Sequence, residues 1–148
     1  MHAFINIQTE DFDQAEHYSA LAQGKDTGAI VTFVGRVREF CGSGQQQMWL
    51  EHYAGMTEKV LHTRIELANE RWPLQAVRIV HRIGHLQAGE QIVFVGVSAT
   101  HRKNAFHACE YLMDYLKTEA PFWKREGKHW VEAKSSDTDA AQNWDDND

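Results

Sequence analysis

A buried strand that leads at once into a long helix constrains the fold of this chain most. Residues 90–99 (EQIVFVGVSA) are apolar on both faces, as in a central strand that is covered on both sides. After a short joint, residues 102–118 repeat apolar side chains at helical spacing. Pro121 lacks a backbone N–H and prevents the helix from continuing. The predicted apolar stripe of this helix is Ala105, Phe106, Cys109, Leu112, Met113 and Leu116.

Weaker patterns complete the predicted architecture. Two segments, 28–37 and 75–84, are predicted strands, and 129–134 is a predicted short last strand. Residues 48–54 are predicted to form a strand that returns along the strand of residues 28–37. The glycine-rich residues 41–47 read as a surface loop and 85–90 as a turn, whereas 57–72 have helical spacing and stop at Pro73. No strict βαβ repeat is present. We therefore predict an α+β domain over residues 1–134, with a mixed or mainly antiparallel sheet and two main helices.

The net charge of −6 at first argues against a site for anions. However, residues 135–148 hold five aspartates and no Lys or Arg, which leaves 15 basic and 16 acidic residues in the rest of the chain. We expect this acidic tail to be flexible. The acidity therefore lies mainly in the tail, and the domain itself is nearly neutral.

Cysteines and short motifs exclude several classes of function. Cys41 and Cys109 form neither a C-x-x-C pair nor a metal-ligand cluster, so a disulfide framework and a metal site have no support. Residues 1–13 lack a signal-peptide pattern, and no apolar run approaches the roughly 20 residues of a membrane span. We expect a cytoplasmic protein. Glycine-rich nucleotide-binding loops and the G-x-S-x-G motif of hydrolases do not occur.

Cationic residues mark where the chemistry is expected. His101, Arg102 and Lys103 open the long helix, where free backbone N–H groups already favour an anion, although a solvated charged helix start fits the triplet equally well. Lys117 ends the helix, where a lysine ordinarily interacts with the helix dipole and the solvent. Lys124 follows Phe122 and Trp123, whose rings could desolvate it.

A second pair of cations ends the first predicted strand. Arg36 and Arg38 are two residues apart, so both could face one anion, or they could simply protect an edge strand. From the residues alone, the chain is an α+β domain with a cationic, lysine-bearing pocket, and no reaction is yet specified.

Several long motifs in this order resemble a known family. They are FVGRVR (33–38), LEHYAGMTEKVL (50–61), HRIGHLQAGEQIVFVGVSATHRKNAF (81–106) and MDYLKTEAPFWKRE (113–126). Together they resemble the large, catalytic subunit of molybdopterin synthase over about residues 28–134. The resemblance implies a hammerhead-like fold. It departs from the family pattern at Glu39, where a polar residue such as Asn is usual, and at Ala54, where proline is usual.

The resemblance implies an enzyme that converts cyclic pyranopterin monophosphate into molybdopterin. The sulfur donor would be the C-terminal Gly-Gly thiocarboxylate of a small ubiquitin-like subunit, and two large subunits would form the central dimer of a heterotetramer. No cofactor or metal would be permanently bound. The implied catalytic residues are Lys117 and Lys124; the implied substrate-binding residues are Arg38, His101, Arg102 and Arg71.

Two other classes of function remain as alternatives. A non-catalytic assembly module that presents the ubiquitin-like partner would need the partner groove but not both lysines. A nucleotide- or RNA-binding domain would use the basic window and its aromatic residues, and its binding should depend steeply on salt. The presence of both Lys117 and Lys124 favours the enzyme.

Overall fold

The computed structural model describes residues 1–38, 47–126 and 129–131. Within these ranges the chain forms two four-stranded sheets and three helices, which confirms the α+β class. The strands are β1 (His2–Gln8), β2 (Ala29–Arg36), β3 (Gln47–His52), β4 (Ala76–Arg82), β5 (Gly84–Gln87), β6 (Gln91–Ala99), β7 (Phe122–Glu126) and β8 (His129–Val131). The helices are α1 (Gln14–Leu21), α2 (Met56–Arg71) and α3 (Arg102–Thr118).

The first sheet has the order β1-β4-β6-β2 and is mixed. Strand β1 runs parallel to β4, whereas β6 runs antiparallel to both β4 and β2. As predicted, β6 is central and buried on both faces. Alternate side chains of β6, from Val93 to Ala99, enter the main core with α2 and α3, whereas Phe94 packs on the other face with Phe12, Leu21 and Val80.

The second sheet corrects two expectations. It has the order β5-β3-β7-β8 and is wholly antiparallel. The strand expected to return along β2 is β3, and it pairs instead with β5 and β7. The register of β2 against β6 shifts after Gly35, and Val37 then joins a separate small core with Met48, Leu50 and Leu86. The turn predicted over residues 85–90 is shorter than expected, because its first residues belong to β5. The turn itself begins after Gln87.

Three further elements were not predicted, and one position was assigned wrongly. The strands β1 and β7 and the short helix α1 were not predicted, whereas α2 and α3 are the two main helices that the sequence predicted. On α3, Phe106 is 60% exposed and does not belong to the buried stripe. The aromatic rings that α3 does bury are those of Tyr111 and Tyr115. Three of the predicted segments lie wholly or partly outside the described residues. They are the loop (residues 41–46), the end of the last strand (132–134) and the acidic tail (135–148).

The direction of α3 decides which residues share an end of the molecule. The chain enters α3 directly from β6 and runs back along it, with Cys109 Sγ at 3.9 Å from the carbonyl oxygen of Val95. The first turn of α3 therefore lies at the end of β6. Its last turn lies beside the beginning of β6, which is also where the paired strand β2 ends.

We expect Gly28→Ala to lower the free energy of unfolding by about 1–3 kcal/mol, because a Cβ at this position overlaps the carbonyl oxygen of Thr100. That oxygen belongs to the backbone at the joint before α3 and cannot rotate away. Gly24→Ala is the matched control, since its Cβ would meet only the hydroxyl of Thr27 at 3.1 Å. Urea unfolding of both variants measures the difference. Equal stability of the two would show that the joint can shift freely.

Candidate functional site

The predicted site residues occupy the two opposite ends of α3. Arg102 is the first residue of this helix and Lys117 lies in its last turn. With a rise of 1.5 Å per residue, their backbones are about 22 Å apart. One chain therefore has two cationic places, and the structure does not bring His101 and Arg102 together with Lys117.

The first cationic place surrounds the beginning of α3. His101 is the N-cap residue and makes no side-chain capping bond, and the first turn contains no acidic residue. A cleft of about 480 Å³ opens here, lined by His101, Arg102, Lys103, Phe106 and His107. Free N–H groups, the positive end of the helix dipole and two permanent cations make this cleft suitable for a phosphate or carboxylate.

Arg71 lies near this same end through an aromatic stack. It is the last residue of α2, and its guanidinium lies 4.6 Å from the ring of Trp72. Trp72 in turn stacks on His107 of the cleft, with the ring centroids 5.7 Å apart. Arg71 therefore lies beside the part of α3 that follows the cleft, since its guanidinium is also 5.8 Å from the ring of Tyr111.

The second cationic place surrounds the end of α3. Lys117 is exposed in the last turn, and the exposed Arg38 lies just beyond β2 at the same end of the first sheet. Lys124 lies in β7, where its backbone pairs with Leu50 of β3 and Val131 of β8. Lys117 and Arg38 therefore lie at the same end of the first sheet, and the backbone of Lys124 lies in a strand of the second sheet.

Arg36 does not join Arg38 in facing an anion, contrary to one sequence-based expectation. Its guanidinium donates from Nε and Nη2 to the carbonyl oxygen of Gly89, at 3.1 and 2.9 Å. The positive φ of 92° at Gly89 directs the turn after β5 toward this arginine. Arg36 therefore secures the turn, and Arg38 is the arginine of this strand end that remains as a site residue.

A buried histidine lies beneath Lys117. His81 is the sixth residue of β4 and is only 7% exposed, and its ring stacks on Phe122 with centroids 3.9 Å apart and planes 16° apart. Nδ1 of His81 lies 2.9 Å from the carbonyl oxygen of Arg82. Burial, helped by the nearby charges of Lys117 and His52 and opposed by the hydrogen bond to Arg82, lowers the pKa of His81 to about 4. His81 is therefore neutral at physiological pH.

His52 and Glu58 border the same cluster. Nε2 of His52 lies 3.6 Å from Oε1 of Glu58, and Oε2 of Glu58 accepts a hydrogen bond of 2.7 Å from the backbone N–H of Gly55. Gly55, with φ of 82°, is the N-cap of α2, so the carboxylate links the helix start to the histidine. Ala54, one of the two departures from the family pattern, is exposed in the turn just before it; Glu39, the other, lies outside the described residues.

Cysteine and metal chemistry find little support in the described part of the chain. Cys109 is buried in the main core, as predicted, and burial raises the pKa of its thiol to about 12, so it is not a nucleophile. Cys41 lies outside the described residues. Among the residues that the structure describes, no three His, Cys, Asp or Glu side chains are grouped to hold a metal ion. None of the described helices has the length and apolarity to cross a bilayer.

Sequence reasoning missed the contact between His81 and Phe122. One signal was available, because His81 shares strand alternation with the buried Val77 and Ile79. No signal identified its partner, since β7 follows Pro121 directly and is only five residues long.

Comparisons with known proteins identify the family. The family model of the MoaE protein matches residues 7–119. The chain belongs to the MoaE family. A molybdopterin synthase catalytic subunit from Vibrio cholerae serotype O1 is 54% identical over 145 residues, which cover 95% of this chain and 97% of that protein. The resemblance carried by the sequence motifs is therefore confirmed.

Solved structures of this family have the same fold. A molybdopterin biosynthesis MoaE protein from Burkholderia ambifaria superposes with a TM-score of 0.82 at 49% identity, over 95% of this chain and 97% of that one. The protein–protein complex of subunits 1 and 2 of the molybdopterin-converting factor from Helicobacter pylori matches with a TM-score of 0.71. That match covers 90% of each chain at 22% identity, and so it shows a shared fold.

We expect His81 to make the stability of this MoaE-family chain depend on acid pH. Its pKa is lowered on folding, so its contribution is full above the unfolded value of 6.5 and is lost as the pH falls toward 4. Between pH 7 and pH 5, the free energy of unfolding should fall by about 2 kcal/mol more in the wild type than in His81→Phe. Urea unfolding at the two pH values tests this. His17, whose pKa is also lowered by burial, contributes equally to both proteins. Equal falls in the free energy of unfolding of the wild type and of His81→Phe would contradict the prediction.

Proposed function

We propose that this chain is the catalytic subunit of a molybdopterin synthase. It converts cyclic pyranopterin monophosphate into molybdopterin, with the C-terminal thiocarboxylate of a small ubiquitin-like subunit as sulfur donor. The observation that carries the proposal is the family match together with the two cationic places at the ends of α3. The Helicobacter pylori complex of two subunits supports a small partner subunit.

The electrostatics suit this reaction. Substrate phosphate and donor thiocarboxylate are both anions, and their repulsion opposes the contact that sulfur transfer requires. Lys117, Lys124 and Arg38 offset that repulsion, and fixed cations act more strongly where bound ligands exclude water. Holding the donor tail against the pterin also removes the entropic cost of their encounter.

Each cation is assigned a role within this proposal. Lys117 lies nearest the reacting carbon, where it donates or accepts a proton or stabilises developing charge. Lys124 holds the thiocarboxylate or the departing phosphate oxygen. Arg38, His101 and Arg102 bind phosphate or pterin, and Arg71 supports the aromatic residues beside His101. The chain supplies no sulfur of its own, in agreement with the inert Cys109.

The distance along α3 implies that two copies build each site. A substrate that contacts Lys117 cannot reach the His101 and Arg102 of the same chain, about 22 Å away along the helix. A dimer can place the beginning of one α3 beside the end of the other. We therefore propose a central dimer of large subunits, with a small subunit at each end, located in the cytoplasm with no permanently bound cofactor.

We expect Lys117→Ala to lower sulfur transfer by about 100-fold or more, because the charged group nearest the reacting carbon is removed. The assay measures dithiolene formation from cyclic pyranopterin monophosphate with the thiocarboxylated small subunit. Lys25→Ala is the control, since Lys25 is exposed in the segment after α1 and is not one of the predicted site residues. Near-normal turnover of Lys117→Ala would remove this residue from the mechanism. A wild-type complex that binds its partner but forms no product would favour an assembly module.

Mixed dimers test the two-copy site. Lys117→Ala and Arg102→Ala should each be nearly inactive as homodimers, but a heterodimer isolated through two different affinity tags contains one site with both residues intact. It should recover about half of the wild-type activity, because one of its two symmetric sites is complete. Activity as low as that of the parent variants would show that Lys117 and Arg102 act within one chain.

A further inference from the structure

We infer that His81 is a positioning residue for both lysines, because its ring holds Phe122, and Phe122 fixes the segment that joins Lys117 to Lys124. The inference rests on the proposed function and adds a residue to it. His81 itself contacts no reacting atom in this role.

The segment between the lysines is short and tightly folded. The N–H groups of Glu119 and Ala120 both donate to the carbonyl oxygen of Tyr115, at 2.9 and 3.1 Å, and end α3. The N–H of Phe122 then donates to the carbonyl oxygen of Ala120 at 2.7 Å. Phe122 lies five residues after Lys117 and two before Lys124, and its ring stacks on His81, which anchors this turn to the first sheet.

His81 is a rigid support for that ring. It lies in β4, where its backbone pairs with Val93 of the central strand, and Nδ1 lies 2.9 Å from the carbonyl oxygen of Arg82. The guanidinium of Arg82 is itself buried and donates to the carbonyl oxygens of Thr9 and Gln91 at 3.0 to 3.2 Å. The ring that contacts Phe122 therefore has little freedom to move.

The stack joins the two sheets at the lysine site. His81 belongs to the first sheet and Phe122 to the second, where Phe122 pairs with His52 of β3 and lies 6.2 Å from its ring. Lys117 is carried by a helix packed on the first sheet, whereas Lys124 is carried by a strand of the second. The relative position of the two lysines therefore depends on how the sheets meet at His81 and Phe122.

A neutral aromatic ring satisfies this role, which predicts a clear order among substitutions. His81→Phe keeps a flat, uncharged ring and should retain kcat within about threefold of the wild type. His81→Ala removes the stack and should lower kcat at least tenfold, since misplacement of reacting groups by about 1 Å can cost 100-fold. KM for the pterin and the Kd for the small subunit should change less than about threefold, because the cationic side chains remain.

A double-mutant cycle isolates the contact from general stability. The rates of His81→Ala, Phe122→Leu and the double variant are compared at a temperature where thermal unfolding shows each to be folded. If both residues act through one contact, the double variant should be no slower than the slower single variant. His85→Ala is the matched control, because His85 contacts Trp49 edge to face, with the ring centroids 4.5 Å apart, on the far side of β3.

The outcomes separate this inference from the proposed function. A wild-type complex without product would overturn both. An active wild type with His81→Ala at full kcat, or with rate losses that add in the cycle, would overturn the positioning role alone. If His81→Ala does not fold, His81→Leu replaces it, and wild-type kcat in that variant would equally contradict the inference.

Discussion

The antiparallel packing of α3 on the central strand β6 is the constraint on which the site depends. Apolar side chains at alternate positions of β6 and at helical spacing on α3 share one core, so the helix direction is fixed by burial. A helix of this length separates its ends by more than the size of a pterin substrate. The same contact that stabilises the domain therefore also divides its cations into two groups.

The lysine end of the molecule depends on a second, weaker contact, between two rings. Burying a histidine is tolerated here because it remains neutral, with Nδ1 beside a backbone carbonyl and one face against Phe122. A protonated imidazole in this place would lose its solvation and would face the charge of Lys117. The stack is thus compatible with the cationic site only while His81 carries no charge.

The sequence predicted those parts of the fold that have strong periodicity. The boundaries of α3 and of the central strand followed from long apolar patterns and from Pro121, because burial on both sides of β6 leaves little choice of residue. Strand β7 and helix α1 were missed because short polar elements are formed by tertiary contacts rather than by local pattern. Phe106 was assigned to the buried stripe since its spacing fits. The structure instead buries Tyr111 and Tyr115. Arg64 donates a hydrogen bond to the hydroxyl of Tyr111 and lies over the ring of Tyr115.

The site residues were named through the family motifs, yet their arrangement could not be read from the sequence. Motif spacing does not reveal that Arg102 and Lys117 lie on opposite ends of a rigid rod. This arrangement has an electrostatic consequence for the proposed dimer. Two like charges at 4 Å repel by about 4 kcal/mol at an effective dielectric constant of 20, so a site with all its cations in one chain would oppose folding. When the cations are divided between two chains, this repulsion arises only on assembly, where the phosphate and the thiocarboxylate can offset it. The binding of the two anions and the completion of the site are then favoured by the same interactions, which explains how a chain of net charge −6 can hold an anionic substrate and an anionic donor together.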